Sequence, residues 1–324
     1  MRDGALLSVE GLTVGFNTDE GFIRVIEGVS FSIAEGTTVG LVGESGSGKS
    51  VTAQTLMRLL PSPPARIEAG SILFDGRDLA KASERDMQAL RGNALAMIFQ
   101  EPMTSLNPTM TAGAQISESL LLHRGMSARE ARPLVLEMLS KAGIGSPERR
   151  YEQYPHELSG GLRQRVMIAM ALVCGPRLLI ADEPTTDLDV TFQAQILALL
   201  KALQSEFGLS VLLITHDLGV VAEICDSVAV MYAGRIVETS AAETLFARPR
   251  HPYTAGLLAA APRRVKKGER LLAIKGVVPP PGARDIGCAF APRCPRALKT
   301  CAQEAPPLIM LEEGRQAACW NPLP

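Results

Sequence analysis

The chain has 324 residues, of which 46% are hydrophobic and 21% charged, and its formal net charge is −1 at pH 7. This composition is typical of a globular protein with one large domain or two modest ones, and it excludes wholesale disorder. A nucleic-acid-binding protein usually has a basic excess, so we expect no nucleic-acid partner. The N-terminus does not resemble a secretory signal, and the longest apolar stretch, residues 166–176, is too short to span a bilayer. A soluble cytosolic protein is therefore expected.

The elements alternate along the chain. Short apolar runs with a period of two, separated by glycines, predict strands at 6–16, 25–33 and 37–43. The third strand leads into a glycine-rich loop and a helix, and two more strands follow. From Met103 to about Arg150 the pattern becomes helical, which predicts a helical insertion. Helices and strands then alternate up to about residue 238, which favours an α/β fold with a largely parallel sheet.

The segment Gly43-Glu44-Ser45-Gly46-Ser47-Gly48-Lys49-Ser50 fits the pattern G-x-x-x-x-G-K-[ST] between a predicted strand and a predicted helix. Its glycines let successive backbone N–H groups turn toward a polyphosphate, and the helix adds its positive N-terminal end. We expect Lys49 to reach the β- and γ-phosphates of ATP and Ser50 to ligate Mg²⁺. The segment, called the phosphate loop below, therefore predicts ATP binding.

A second acidic site is predicted where the apolar run 178–181 ends in Asp182 and Glu183. In nucleotide hydrolases with a phosphate loop, such a strand end supplies a second contact to Mg²⁺. We expect Asp182 to act on Mg²⁺ through water and Glu183 to orient or deprotonate the attacking water. Two carboxylates before a proline could also simply begin the next helix. The phosphate loop elsewhere in the chain favours the catalytic interpretation.

Between these two sites, Ser159 precedes Gly160 and Gly161 at the start of a predicted amphipathic helix, which makes a second anion site. The segment 158–165 resembles the signature motif of ABC ATPases. That resemblance implies a P-loop NTPase fold of the ABC type, with an N-terminal antiparallel β subdomain and a helical subdomain at about 103–165. In this family the signature of one subunit closes over the ATP held by another.

The resemblance extends to single residues. Gln100 corresponds to the glutamine that senses Mg²⁺ and the γ-phosphate, and His216 to the histidine that contacts the γ-phosphate. Asp189 closes the segment 186–189, which is similar to the D-loop of the family. Phe16 is expected to stack on adenine, with Phe22 as a rival.

Two further stretches, residues 100–108 and 250–254, together with a cysteine-rich tail, resemble the ATPases of dipeptide, oligopeptide and nickel importers. The implied organisation is a nucleotide-binding domain at 1–247 and a C-terminal region with a Cys-rich tail domain at 248–324. The implied partners are a second homologous ATPase subunit, two transmembrane permeases and an extracytoplasmic substrate-binding protein. The protein would then hydrolyse ATP at the cytoplasmic face of the membrane and drive the uptake of di- or oligopeptides through the permeases, with the exact cargo set by the binding protein and the permeases. A soluble ABC ATPase of translation or DNA maintenance, and an exporter ATPase, are the alternatives.

The tail contains four cysteines, which are separated by five, six and seventeen residues: Cys288, Cys294, Cys301 and Cys319. Structural zinc usually binds cysteines in closer pairs, and a reducing cytosol disfavours disulfides. An iron–sulfur cluster takes four thiolates and tolerates dispersed spacing. Zinc and free thiols remain alternatives, and the family resemblance suggests a [4Fe–4S] cluster that hydrolysis does not need.

Overall fold

The structure is a computed structural model that describes residues 4–100, 105–186, 189–260, 274–282 and 286–324. It forms two compact units, one of Met1–Lys81 with Leu213–Pro324 and one of Ala82–Leu212. The strands are β1 (Ala5–Thr18), β2 (Gly21–Ala34), β3 (Thr38–Val42), β4 (Ala65–Phe74), β5 (Arg77–Asp78), β6 (Leu95–Ile98), β7 (Leu178–Asp182), β8 (Ser210–Thr215), β9 (Ser227–Tyr232), β10 (Arg235–Ala241), β11 (Ile309–Glu312) and β12 (Arg315–Ala317). The helices are α1 (Lys49–Leu56), α2 (Glu84–Leu90), α3 (Ala112–Arg124), α4 (Ala128–Lys141), α5 (Pro147–Tyr151), α6 (Gly160–Leu172), α7 (Val190–Phe207), α8 (Leu218–Ile224), α9 (Ala242–Ala247) and α10 (Pro252–Ala260).

The first unit begins with an antiparallel sheet in the order β2-β1-β4-β5, which confirms the predicted N-terminal β subdomain. Its second sheet runs in the order β11-β12-β10-β9-β3. Only β3 and β9 pair in parallel there, and the other pairs are antiparallel. The sheet is therefore mixed and less parallel than predicted, because β9 and β10, and likewise β11 and β12, form antiparallel pairs across short connections.

The C-terminal tail does not form the separate Cys-rich domain that the sequence predicted. Strand β12 pairs with β10, with Glu238 opposite Ala317, and β11 pairs with β12. This pairing satisfies backbone groups of β10 that an edge strand would leave open. Phe290, Cys288 and Cys294 also pack on the buried cluster of the first unit. The tail therefore completes the first unit.

In the second unit, β6 and β7 pair in parallel, with Leu95 opposite Leu178. The helical insertion is formed by α3, α4 and α5, and local signals explain their bounds. Ser127 and Glu130 form a capping box at the start of α4, while Gly125 ends α3 with a φ of 64°. No helix in the described part of the chain is long and apolar enough to cross a membrane.

Candidate active site

The phosphate loop lies in the first unit, between the fully buried strand β3 and helix α1. Gly46 and Gly48 have φ values of 77° and 104°, in the region that favours glycine. Gly43 is fixed by crowding, because a Cβ atom there would lie 2.2 Å from the carbonyl oxygen of Met231. The glycine spacing recognised in the sequence is therefore required by this backbone.

Lys49 lies inside the loop, with 5% of its surface exposed. Its Nζ donates hydrogen bonds to the carbonyl oxygens of Gly43 at 2.8 Å and Glu44 at 3.0 Å. Nearby, the buried Ser47 Oγ has no hydrogen-bond partner among the described residues. A preformed loop with an internal ammonium and an unpaired hydroxyl fits a bound polyphosphate, so the residues present suit ATP.

His216 follows β8 and is exposed, and the next residue, Asp217, caps helix α8 through hydrogen bonds from Gly219 N and Val220 N. The cap fixes the backbone between the end of β8 and the start of α8, and it therefore fixes the position of His216.

The two candidate adenine-stacking residues differ in their contacts. The guanidinium of Arg66 lies 4.5 Å from the centre of the Phe22 ring, and the same ring packs so closely on Gly15 that a Cβ atom there would clash. Phe16 is half-buried on β1, opposite Ile23. Arg66 therefore already covers one face of the Phe22 ring.

The second unit contains the two strand-end carboxylates, Asp182 and Glu183. Asp182 ends the buried strand β7 with 3% of its surface exposed, and Glu183 follows with a φ of 48°. Such a backbone angle is strained for a residue other than glycine, and strain of this kind concentrates at functional sites. One carboxylate oxygen of Glu183, Oε2, accepts hydrogen bonds from Gln100 Nε2 at 3.1 Å and Thr186 Oγ1 at 2.8 Å. The structure thus brings Gln100 and Glu183 together and orients the carboxylate.

The signature segment begins helix α6. Ser159 is its N-cap, accepting a hydrogen bond from Leu162 N at 3.4 Å, so the backbone turns into the helix as predicted. A Cβ atom at Gly161 would lie 2.0 Å from Phe192, which explains the second glycine, whereas Gly160 has open space around its Cα. Asp189 caps helix α7 through Phe192 N at 2.9 Å. Asp187 and Leu188, also in the predicted D-loop, lie outside the described residues.

Gln164 is a supporting residue near the site that the sequence analysis did not identify. It lies one turn into α6 with 2% of its surface exposed, and its Nε2 donates to the carbonyl oxygen of Pro184 at 2.7 Å. The signature helix is therefore tied to the turn that directly follows Glu183. The available signal was a polar amide on the apolar face of a helix, because a buried amide needs a partner.

The four tail cysteines are free thiols in this structure. Backbone N–H groups donate to the Sγ atoms of Cys294, Cys301 and Cys319, each at 3.4 Å. Burial raises the pKa of Cys288, and it raises the pKa of Cys319 to about 11. Within the described ranges, no group of three or more His, Cys, Asp or Glu side chains could hold a metal ion. The structure thus does not support the predicted iron–sulfur cluster or a metal site.

Two protein-family models match the chain: "ABC transporter" over residues 26–186 and "Oligopeptide/dipeptide transporter, C-terminal region" over residues 237–301. The chain is 52% identical to the probable peptide ABC transporter ATP-binding protein y4tR of Sinorhizobium fredii, covering 98% of this chain and 95% of that protein. It is 50% identical to the dipeptide transport ATP-binding protein DppD of Bacillus subtilis (97% and 94% covered). It is 51% identical to OppD of the same organism, an oligopeptide transport ATP-binding protein (99% and 90% covered).

Among solved structures, the chain resembles the dimeric ATP-binding cassette MJ0796 bound to ADP and phosphate. The TM-score is 0.65 and the identity 29%, and the match covers 73% of this chain and 98% of that one. It also resembles cbiO1 of Clostridium perfringens, part of the ABC transporter complex cbiONQ, with a TM-score of 0.64 and 29% identity over 76% of this chain and 92% of that one.

Proposed function

Since the chain belongs to the ABC transporter family of ATP-binding subunits, we propose that its ATP hydrolysis drives the uptake of di- and oligopeptides through partner permeases. The observation that carries this cargo assignment is the near full-length similarity to DppD and OppD, including the C-terminal region. A family match confined to residues 26–186 would have supported only an ABC ATPase of open cargo.

The residues of the first unit bind the nucleotide. The N–H groups of the phosphate loop and the Lys49 ammonium hold the β- and γ-phosphates, and Phe16 stacks on the adenine. Ser50 would ligate Mg²⁺, and the bound ion would neutralise charge on the phosphate oxygens. His216, exposed after β8, donates a hydrogen bond to the γ-phosphate. Each of these roles is supported by position and chemistry.

The residues of the second unit act on water and on Mg²⁺. Glu183 is the general base that accepts a proton from the attacking water, and the hydrogen bonds that Gln100 and Thr186 donate to its Oε2 orient the carboxylate. Asp182, through water, and Gln100 would contact Mg²⁺. Because hydrogen bonds fix the Glu183 carboxylate, the entropy of orienting the base is lost on folding and not during the reaction.

The signature segment of the chain, Ser159-Gly160-Gly161, serves the nucleotide of a second ATPase subunit. Helix α6 presents free N–H groups at its N-terminus, which suits a γ-phosphate, and Asp189 of the D-loop lies at the start of α7. We infer a heterodimer with a homologous ATPase beneath two permeases, at the cytoplasmic face of the membrane, supplied by an extracytoplasmic binding protein.

Reconstitution tests the proposal. The chain, its ATPase partner and the two permeases are placed in liposomes with peptide-loaded binding protein, and accumulation of labelled di- and oligopeptides is measured with and without ATP. Lys49→Ala in the same complex is the matched control, since it lacks the phosphate contact. We expect ATP-dependent peptide uptake that this control loses. Uptake of nickel without any peptide would overturn the cargo assignment, and full uncoupled turnover by a homodimer of the chain would overturn the heteromeric assembly.

The [4Fe–4S] cluster stays a prediction from the sequence. Only the sequence favours it, since the tail contains the four cysteines that such a cluster takes. The absence of a metal-holding group among the described residues opposes it, and no step of hydrolysis uses it. Anaerobic purification decides the matter, since a cluster gives brown protein with about four irons per chain. Colourless protein with stoichiometric zinc would exclude it.

A further inference from the structure

The second residue of the phosphate loop, Glu44, is bound by residues of the C-terminal region of the chain. Arg293 Nη1 lies 3.1 Å from one carboxylate oxygen of Glu44, and Nη2 lies 3.0 Å from the other. The Arg293 side chain is only 5% exposed and that of Glu44 28% exposed. A bidentate ion pair of this kind is stronger and more directional than a single contact, and its burial reduces screening by solvent.

Tyr253 holds the backbone of the same residue. The Glu44 N–H group donates to the Tyr253 hydroxyl at 2.9 Å. Tyr253 is fully buried, and its ring centre lies 4.6 Å from that of Tyr232 and 5.3 Å from that of Phe290. The hydroxyl therefore has little freedom to move, and it fixes the peptide at which the loop leaves β3.

Arg293 is itself fixed from several directions. Its Nε donates to the carbonyl oxygen of Lys275 at 2.9 Å, and Nη2 donates to that of Ile274 at 3.3 Å. Nη1 also lies 3.3 Å from the Tyr232 hydroxyl. The guanidinium cannot follow Glu44 if the loop shifts, so the pair specifies one loop position.

These contacts meet at the phosphate-binding lysine, because Lys49 Nζ donates to the Glu44 carbonyl oxygen. Glu44 is thus held at its N–H group, its carbonyl group and its carboxylate. The carboxylate is also a negative charge on a loop that must receive a polyphosphate, and unpaired it would repel that ligand. Arg293 cancels this charge.

We propose that Arg293 is a positioning residue for ATP binding, which neutralises Glu44 and, together with Tyr253, holds the phosphate loop in its binding conformation. The C-terminal region is then part of the nucleotide site. Neither the phosphate-loop pattern nor the family matches assign this role to Arg293. The proposal concerns ATP affinity and is independent of the transported cargo.

A simpler role for the pair is to fasten the tail to the first unit, and a charge-removal series separates the two. The affinity of the purified full chain for ATP with Mg²⁺ is measured by calorimetry, and KM and kcat are measured on the reconstituted transporter. Arg293→Gln exposes the Glu44 charge, so we expect about tenfold weaker ATP binding, equivalent to about 1.4 kcal/mol. KM should rise with it, while kcat falls far less.

The double variant Glu44→Gln with Arg293→Gln decides between the roles. It removes the exposed charge, so its affinity should recover most of the loss. A pair that only fastens the tail predicts a double variant as weak as Arg293→Gln or weaker, and that result would overturn the proposal. Wild-type affinity in Arg293→Gln would overturn it too.

Arg293→Lys keeps the positive charge but cannot form the bidentate contact to the Glu44 carboxylate. It also provides a test if Arg293→Gln does not fold. Its affinity should fall only about two- to threefold, since neutralisation is retained. A loss as large as that of Arg293→Gln would contradict the role of charge. The matched control is Arg91→Gln, which breaks an Arg–Glu pair of two contacts to Glu84, at the start of α2 and outside the phosphate loop. It should bind ATP as the natural chain does.

Discussion

We expect Glu183→Gln to bind ATP normally and to lose most of its turnover. The Gln100 and Thr186 donors both point at Oε2 of the carboxylate, at 3.1 and 2.8 Å. An isosteric amide can place its single oxygen there and keep both hydrogen bonds. The two hydrogen bonds lose the strengthening that the negative charge of the acceptor gives them, so the free energy of unfolding should fall by about 1 kcal/mol or less.

The effect on the reaction is much larger, because an amide cannot accept a proton from water. General-base catalysis contributes about 10²- to 10⁴-fold, which corresponds to about 3 to 5 kcal/mol of the activation barrier. The assay is phosphate release by the reconstituted transporter at saturating ATP, with ATP affinity measured in parallel. Turnover above about a tenth of the natural rate would refute the role of Glu183, because that loss is smaller than a general base explains.

Thr186→Val is the matched control, since it removes one of the two donors and keeps the carboxylate. We expect a loss of about tenfold or less, consistent with one hydrogen bond of about 1 kcal/mol that orients the base. If Thr186→Val lost as much as Glu183→Gln, orientation and not proton transfer would dominate.

Three other predictions concern the supports of the site. Tyr253→Phe removes the hydroxyl that accepts a hydrogen bond from the Glu44 N–H group. The lost hydrogen bond is worth about 1 kcal/mol, so ATP binding should weaken a fewfold. ATP titration measures this loss, with Tyr154→Phe as the control. Gly161→Ala should lower the free energy of unfolding by about 1 to 3 kcal/mol, because its Cβ would overlap the Phe192 ring. Urea unfolding measures this change, and unchanged stability would contradict the contact. Burial lowers the pKa of His251 to about 4, although a hydrogen bond to the backbone of Ala318 partly opposes this shift, so the buried imidazole is neutral. The neutral histidine therefore contributes its whole stabilisation above the unfolded-state pKa, and this contribution is lost as the pH falls from there toward 4. Between pH 7 and pH 5 the unfolding free energy should fall by about 2 kcal/mol more than in His251→Gln, and equal losses would refute the assignment.

The phosphate loop and the strand-end carboxylates could be predicted because each is specified by local chemistry. A loop that turns its N–H groups inward needs glycines at set positions, and the observed positive φ values at Gly46 and Gly48 follow from that requirement. Similarly, an apolar run that ends in Asp182 and Glu183 predicted a buried strand with two carboxylates at its end, as found in β7.

The contacts made over long sequence separations could not be predicted. Glu44 and Arg293 are 249 positions apart, and no periodicity in either segment indicates that they pair. The pairing of β12 with β10 was missed for the same reason: the tail strands are only three and four residues long, too short to give an alternation signal. The separate tail domain that the resemblance implied is not supported, because β11 and β12 join β10 in the sheet of the first unit.

The residues around His251 show why the C-terminal region matters to the nucleotide site. His251 Nδ1 accepts a hydrogen bond from Tyr253 N at 3.0 Å at the start of α10, and His251 N donates to the buried Glu238 of β10 at 2.8 Å. The Tyr253 hydroxyl in turn accepts from Glu44 N. A continuous path of hydrogen bonds thus runs from β10 through residues 251–253 to the phosphate loop. Because Glu238, His251 and Tyr253 are buried, their polar groups would be costly to leave unpaired, so the segment 250–254 helps to fix the phosphate loop.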